Sequence, residues 1–195
     1  MVLSGPSGVG KGTVVAAAIA ARGETGASIR GSISVTTRPP RPGEGEGQHY
    51  FFRSAREFDE MVRAGSLLEW ASYLDHRYGT PREWVESELA LGHDVVLEIE
   101  VQGAQQVRER CPEAVLVYML PPSREELRRR LAGRGSDDAE TQRRRLEVAE
   151  REIALLRQYD YAIVNDDVAA AARRFLAILE AEHWRTSRLD LQDLA

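Results

Sequence analysis

The chain opens with a short β-prone run, then a glycine-rich segment and an alanine-rich helix. Residues 2–3 predict the end of a strand, residues 4–10 a loop, and residues 11–22 the helix. Because the chain begins just before this strand, we expect the strand to be short. A strand, a glycine loop and a helix in this order are typical of a phosphate-binding site.

The pattern of apolar and polar positions is less regular between residues 32 and 90. The segments predicted here, after a loop at 23–31, are a β-prone run at 32–35, an irregular exposed stretch at 37–48, a strand at 49–52, a helix at 55–64, a strand at 67–73 and a helix that Pro81 opens at its first position. This pattern predicts an inserted lobe of mixed α and β structure.

Strands and helices alternate more clearly in the second half of the chain. The predicted segments are a strand within 94–100, a helix to about residue 110, a strand at 114–120, a helix at 124–131, a long charged helix at 138–158, a strand at 161–164 and a helix at 169–184. Such alternation predicts an α/β fold with a parallel sheet. We expect residues 1–31 and 91–195 to form this core, and residues 32–90 to form the inserted lobe.

Length and composition are those of one ordinary globular domain, with 195 residues, 43% apolar and 29% charged. There is no run of about 18 apolar residues and no signal-peptide pattern, so we expect no membrane association. The single cysteine, Cys111, has no partner for an internal disulfide. A reducing, cytoplasmic location is therefore expected.

The charge of the chain argues against nucleic acid as a partner, since the net charge is −5. It is compatible with a small anionic ligand in a local basic pocket. Of the 26 basic residues, 25 are arginine, and the only lysine is Lys11. This lysine lies in the glycine-rich segment.

The glycine-rich segment matches the phosphate-loop pattern G-x-x-x-x-G-K. The ATP-binding residues that it predicts are Gly5, Pro6, Ser7, Gly8, Val9, Gly10, Lys11, Gly12 and Thr13. The pattern usually continues with Ser or Thr, which holds Mg²⁺, but Gly12 takes that place. We therefore expect Thr13 to bind the α-phosphate and Mg²⁺ to be held mainly by phosphates and water. The alternative is a tight glycine turn without a ligand.

A second candidate site lies on a loop that prolines make rigid. Arg38 and Arg41 stand in the sequence Thr-Arg-Pro-Pro-Arg-Pro-Gly-Glu, with Tyr50 close behind. Guanidinium groups bind phosphate in a bidentate way, so this loop suits a compact dianion. The alternative is a solvated basic loop.

These motifs together resemble those of guanylate kinases. The segments that carry the resemblance are 4–13, 34–43, 68–71, 78–80, 97–103, 134–146 and 163–166, in the order expected for the family. The resemblance implies a P-loop kinase fold with a parallel core sheet flanked by helices, an inserted acceptor-binding lobe and a helical lid at about 133–148. The implied reaction is Mg²⁺-dependent transfer of the γ-phosphoryl group of ATP to GMP, giving ADP and GDP, as in GMP recycling.

The resemblance also implies how the acceptor is held. The residues implied to grip the 5′-phosphate of GMP are Arg38, Arg41, Tyr50 and Tyr78, and those implied to read the base are Ser34, Glu69 and Thr80. One carboxylate can accept both the N1–H and the 2-amino group of guanine, whereas adenine has an acceptor at N1 and no 2-amino group. Sites built on such hydrogen bonds can discriminate by ~10⁴-fold.

Four further positions are candidates with open alternatives. Glu98 and Glu100 alternate with apolar residues and are expected on one face at the end of a parallel strand, Glu98 in the outer shell of Mg²⁺ and Glu100 on the guanine side. A structural salt bridge is the alternative. The lid resemblance implies that Arg134 and Arg145 close over ATP.

The last candidate is Asn165, which resembles the residue beside the adenine of ATP, with a turn or helix cap as the alternative. Among the candidates, Lys11, Arg38, Arg134 and Arg145 are expected to be catalytic, because phosphoryl transfer depends on positioning and charge neutralisation.

Two rival functions use the same scaffold. One is another small-molecule kinase, of the ribose 1,5-bisphosphate kinase type, which needs no base-reading residues. The other is a non-catalytic guanylate-kinase-like binding module, in which the phosphate loop is typically degraded. The sequence makes no prediction of oligomeric state.

Overall fold

The computed structural model describes residues 1–23, 28–73, 75–132, 147 and 151–188. The helices and strands in chain order are β1 Val2–Ser4, α1 Lys11–Arg22, β2 Ile29–Gly31, β3 Ser34–Thr36, β4 Tyr50–Phe52, α2 Ala55–Arg63, β5 Leu67–Tyr73, β6 His76–Pro81, α3 Arg82–Ala90, β7 Asp94–Glu98, α4 Val101–Arg110, β8 Leu116–Leu120, α5 Arg124–Ala132, β9 Tyr161–Val164 and α6 Val168–His183. The chain divides into two compact units, Met1–Ser4 with Ala27–Leu116 and Gly5–Gly26 with Val117–Ala195.

The first unit contains parallel strands in the order β2-β7-β1. Strand β7 lies in the middle and is apolar at Val95, Val96 and Leu97, all of which are buried. A central parallel strand is covered on both faces, which explains why this stretch is continuously apolar rather than alternating. The strands predicted at 2–3 and within 94–100 are confirmed, at Val2–Ser4 and Asp94–Glu98.

The first unit also contains a four-stranded mixed sheet in the order β4-β3-β6-β5. Strands β3 and β4 are parallel, and β6 runs antiparallel to both β3 and β5. Helix α2 has a capping box at Ser54 and Glu57, and its Phe58 is buried in a small core with Val35 and Leu67. This sheet has its own apolar core and carries most of the predicted acceptor-binding residues.

The second unit contains the phosphate loop, helices α1, α5 and α6, and the parallel strands β8 and β9. Helix α1 packs against α6. Val14 and Ala18 of α1 and Phe175 and Leu179 of α6 are buried. Each helix therefore buries an apolar face within this unit.

Several predicted boundaries were wrong. The predicted loop at 23–31 ends in strand β2, and strand β6 was missed, because β2 is defined by its pairing with β7 and β6 by its pairing with β3 and β5. Pro81 does not open α3 but is its N-cap and the last residue of β6. The long helix predicted at 138–158 lies mostly outside the described residues. Its described residues 151–154 are helical, as predicted, and its end at Leu156–Gln158 is a 3₁₀ turn.

Candidate active site

The phosphate loop occupies residues 5–10 of the second unit, directly before α1. Gly10 is the N-cap of α1 and has a left-handed backbone, with φ of 95°. A Cβ atom there would lie 2.6 Å from Nδ2 of Asn165. Gly5 has no room for a side chain either, because its Cβ would meet the backbone oxygen of Met119. The loop therefore needs glycine at both ends, for close approach of neighbouring groups and for a positive φ.

Lys11 is the first residue of α1, and its ammonium group lies against the loop. Its Nζ donates to the backbone oxygen of Gly5 at 2.6 Å. The first turn of α1 contains no acidic residue, so nothing in it offsets the positive end of the helix. Gly12 and Thr13 are exposed on the same turn. A helix N-terminus with a lysine is suited to bind phosphate.

Asn165 lies between β9 and α6 and contacts the same loop. Its Nδ2 donates to the backbone oxygen of Val9 at 2.8 Å, and its Oδ1 is buried without a hydrogen-bond partner among the described residues. Arg130 of α5 also donates to Val9, at 3.2 Å, and to the backbone oxygen of Asn165, at 3.1 Å. Helix α6 is capped by Asp167, whose side chain accepts from the N–H of Ala170. The cap alternative for Asn165 is therefore excluded.

In the first unit, Arg38 is buried and held by an acidic residue of its own loop. Its Nη2 donates to both carboxylate oxygens of Glu44, at 2.8 and 2.9 Å, and its Nη1 donates to the backbone oxygen of Pro39 at 2.7 Å. The backbone N–H of Arg41 and the guanidinium of Arg38 lower the pKa of Glu44, so the pair is charged. Sequence reasoning assigned no role to Glu44, although its place three residues after Arg41 on a rigid loop was a usable signal.

Two tyrosines lie beside this guanidinium. The Cζ atom of Arg38 lies 5.3 Å from the centre of the Tyr50 ring, and the rings of Tyr50 and Tyr78 lie 6.0 Å apart. Burial, and then the neighbouring Tyr78, raise the pKa of Tyr50, so its phenol stays protonated and can donate a hydrogen bond. The structure therefore brings Arg38, Tyr50 and Tyr78 together. The side chain of Arg41 is exposed on the same loop.

Glu69 and Thr80 form a buried pair on the neighbouring strands β5 and β6. Their Cα atoms are direct partners in the sheet, and the Thr80 hydroxyl donates to Oε1 of Glu69 at 2.6 Å. Burial raises the pKa of Glu69 to about 7, against the bond from Thr80. Ser34 is half-buried at the start of β3, one residue from the paired Val35 and Gly79.

The prediction that Glu98 and Glu100 both lie on the strand is wrong. Strand β7 ends at Glu98, and Glu100 is the N-cap of α4, because the helix starts directly after it at Val101. From this position the charge of Glu100 adds to the raised pKa of Glu69. No three His, Cys, Asp or Glu side chains form a metal site in the part of the chain that the structure describes. Arg134, Arg145 and the predicted lid at about 133–148 lie outside the described residues, apart from residue 147.

Comparison with known proteins gives one consistent result. The family model described as guanylate kinase matches residues 1–182. The chain is 52% identical to the guanylate kinase of Lactococcus lactis subsp. lactis over 189 residues, which are 97% of this chain and 90% of the relative. It is 50% identical to the guanylate kinase of Streptococcus pyogenes serotype M3, covering 97% of this chain and 88% of the relative.

A solved structure shows the same likeness. The crystal structure of guanylate kinase from Anaplasma phagocytophilum is similar with a TM-score of 0.77 and 35% identity, over 98% of this chain and 89% of that chain. The predicted α/β P-loop kinase fold is confirmed. None of the described helices has an apolar stretch long enough to cross a bilayer.

Proposed function

The chain belongs to the guanylate kinase family and is an ATP:GMP phosphotransferase, and we propose that Glu69 is the group that selects GMP as its acceptor. The observation that carries this proposal is the burial of Glu69, which is only 3% exposed and accepts a hydrogen bond from Thr80. Guanine offers two adjacent N–H donors to such a carboxylate. Adenine offers none at these positions and leaves the carboxylate buried without a partner, which is costly.

The proposed acceptor lobe is residues 32–90, which contain the four-stranded mixed sheet. Within it, the 5′-phosphate of GMP binds Arg38, Arg41, Tyr50 and Tyr78, and Ser34 assists on the guanine side. Glu100, from the core, is proposed to assist on the same side. A guanidinium group has five N–H donors, more than the contacts with Glu44 and Pro39 use. Phosphate can therefore bind Arg38 while Glu44 still holds it in place.

The proposed ATP site is the phosphate loop of residues 5–13 in the core formed by 1–31 and 91–195. Lys11 would leave the backbone oxygen of Gly5 for the outer phosphates of ATP. Asn165 keeps its proposed place beside the adenine of ATP, where its amide could accept from the amino group of the base. Arg134 and Arg145 keep their proposed role as the arginines of the lid.

Magnesium fits this set of groups as a companion of ATP. Gly12 has no hydroxyl, and Thr13 beside it is exposed on the first turn of α1. Mg²⁺ usually keeps several waters and binds through substrate phosphates, with Glu98 proposed in the outer shell. When bound, the ion neutralises charge on the β- and γ-phosphates.

The proposed mechanism is in-line transfer. A bond forms between a phosphate oxygen of GMP and the γ-phosphorus of ATP, and the bond from that phosphorus to the β–γ bridging oxygen breaks, so that ADP leaves with the electron pair. The acceptor oxygen is already ionised, so no general base is needed. Lys11, Arg38, Arg134 and Arg145 offset the repulsion between the two anions.

The cytoplasm, where ATP and GMP occur, is the proposed location.

The test is a panel of acceptors. ADP formation from Mg·ATP is measured with GMP, AMP, CMP, UMP and ribose 1,5-bisphosphate. We expect turnover with GMP, loss of that turnover in Lys11→Ala, and strong impairment in Glu69→Gln. Turnover with the ribose compound instead of GMP would refute the guanine assignment and leave the phosphate loop in place. Folded protein that turns over no acceptor would support a binding module.

A further inference from the structure

Helix α4 contacts the strand that carries Glu69 along one face. Strand β5 is at the edge of the mixed sheet, so its outward N–H and C=O groups have no strand partner among the described residues. Gly103, Gln106 and Arg110 of α4 all face it, and their spacing of three and four residues places them on one side of the helix. These three residues meet the strand at successive turns of the helix.

Gln106 replaces the missing strand partner at the residue next to Glu69. Its Nε2 donates to the backbone oxygen of Trp70 at 2.6 Å, and its Oε1 accepts from the N–H of Trp70 at 3.2 Å. A side-chain amide has the same donor and acceptor as a peptide group, so it can pair with both backbone groups at once. On the other side of Glu69, Arg110 donates to the backbone oxygen of Leu68. The backbone is therefore held on both sides of Glu69 by one helix.

Gly103 fixes where the carboxylate itself can lie. A Cβ atom at Gly103 would meet Oε2 of Glu69, and it would also lie 3.1 Å from the Cδ of Glu69. The carboxylate therefore occupies the space that any side chain at position 103 would fill. Thr80 fixes the other oxygen, Oε1, at 2.6 Å.

We propose that Gln106 is a positioning residue for guanine recognition, which acts by fixing the backbone at Trp70 so that Glu69, against Gly103, presents its carboxylate to both N–H groups of the base. This proposal rests on the proposed role of Glu69. A carboxylate accepts two adjacent donors only when both of its oxygens are correctly oriented. If the carboxylate loses this orientation, the hydrogen bond that is mainly lost is the second one, from the 2-amino group of guanine.

The experiment compares Gln106→Met with Gln105→Met, a matched control on the exposed side of the same helix. Methionine keeps the length of glutamine and removes both hydrogen bonds. The readouts are KM for GMP, KM for ATP, and the ratio of kcat/KM for GMP to that for IMP. IMP keeps the N1–H of guanine and lacks the 2-amino group, so the ratio reports the second bond.

We expect Gln106→Met to raise KM for GMP about tenfold, to lower the GMP:IMP ratio by a similar factor, and to leave KM for ATP as in the control. Gly103→Ala is the second variant, because alanine favours a helix over glycine and the new Cβ displaces the carboxylate. It should give the same signature, because it displaces the carboxylate directly. If Gln106→Met does not fold, Gln106→Asn takes its place, because the shorter side chain stays polar but cannot keep both hydrogen bonds to Trp70.

The proposal is overturned if folded Gln106→Met, or Gln106→Asn in its place, keeps the KM for GMP and the GMP:IMP ratio of the control. A lower folding stability with these two quantities unchanged would show a structural role only. If wild type uses GMP and Glu69→Gln loses it while Gln106→Met does not, only the positioning role fails. No turnover of GMP by the wild type would refute both proposals.

Discussion

Replacing Glu69 with glutamine should make the folded protein more stable at alkaline pH while weakening GMP binding. Burial raises the pKa of Glu69 from 4.5 to about 7, so the folded protein holds this proton more tightly than the unfolded chain does. Wild-type stability therefore falls as pH rises from about 4.5 to about 7 and stays at the lower level above that. Glutamine is neutral at every pH, and its amide oxygen can still accept from Thr80.

The size of the effect follows from the two pKa values. A tenfold change in proton affinity is about 1.4 kcal/mol, so the ionised carboxylate costs the wild type about 3 kcal/mol at pH 8.5 and less than about 1 kcal/mol at pH 5. We expect Glu69→Gln to exceed the wild type in free energy of unfolding by about these amounts, as an upper limit.

The assay is urea unfolding at both pH values, with Glu109→Gln as the control for an exposed carboxylate. A difference between Glu69→Gln and wild type that grows by about 2.5 kcal/mol from pH 5 to pH 8.5 supports the reasoning. The same difference at both pH values, or a change equal to that of Glu109→Gln, refutes it, because Glu69 would then titrate alike in the folded and unfolded states.

Three further predictions concern the two nucleotide sites. Because only ionised Glu69 accepts the N–H groups of guanine, kcat/KM for GMP should fall about tenfold per pH unit below about pH 7 in a steady-state pH profile, and a flat profile would contradict this. Glu44→Gln removes the charge that orients Arg38, so steady-state kinetics should show KM for GMP raised about fivefold and KM for ATP unchanged. An unchanged KM for GMP would contradict this role of Glu44. Gly10→Ala places a Cβ against Asn165 at a positive φ. Steady-state kinetics should show a raised KM for ATP and an unchanged KM for GMP, and urea unfolding should show a free energy of unfolding lower by about 1 kcal/mol. A KM for ATP equal to that of the wild type would show that the loop tolerates a side chain.

The sequence was sufficient where a local pattern decides the structure. Helix α1 and strands β5 and β9 have the bounds predicted from the pattern of their residues. Strand β6 was missed because His-Arg-Tyr-Gly-Thr-Pro has no alternation of apolar residues, and its pairing with β3 and β5 defines it. A strand that is defined by its pairing and has no apolar alternation cannot be found from local periodicity alone.

In the candidate site too, some features follow from the sequence and others only from the fold. Glu69 and Thr80 were both named from motifs, but the hydrogen bond between them and the raised pKa depend on burial in the folded sheet. Gln106 was missed because a glutamine on a helix has no chemical signature, and its role follows only from the edge position of β5. Residues that touch a ligand can be predicted from a motif, whereas residues that hold them in place require the fold.

The most direct test of guanine recognition by Glu69 is the dissociation constant of GMP, measured by calorimetry at about pH 8, where Glu69 of the wild type is ionised. We predict that Glu69→Gln binds GMP at least about 100-fold more weakly than the wild type, while both proteins bind ATP alike. Equal dissociation constants for GMP would show that this carboxylate does not recognise guanine, and would contradict the proposal that Glu69 selects GMP as the acceptor.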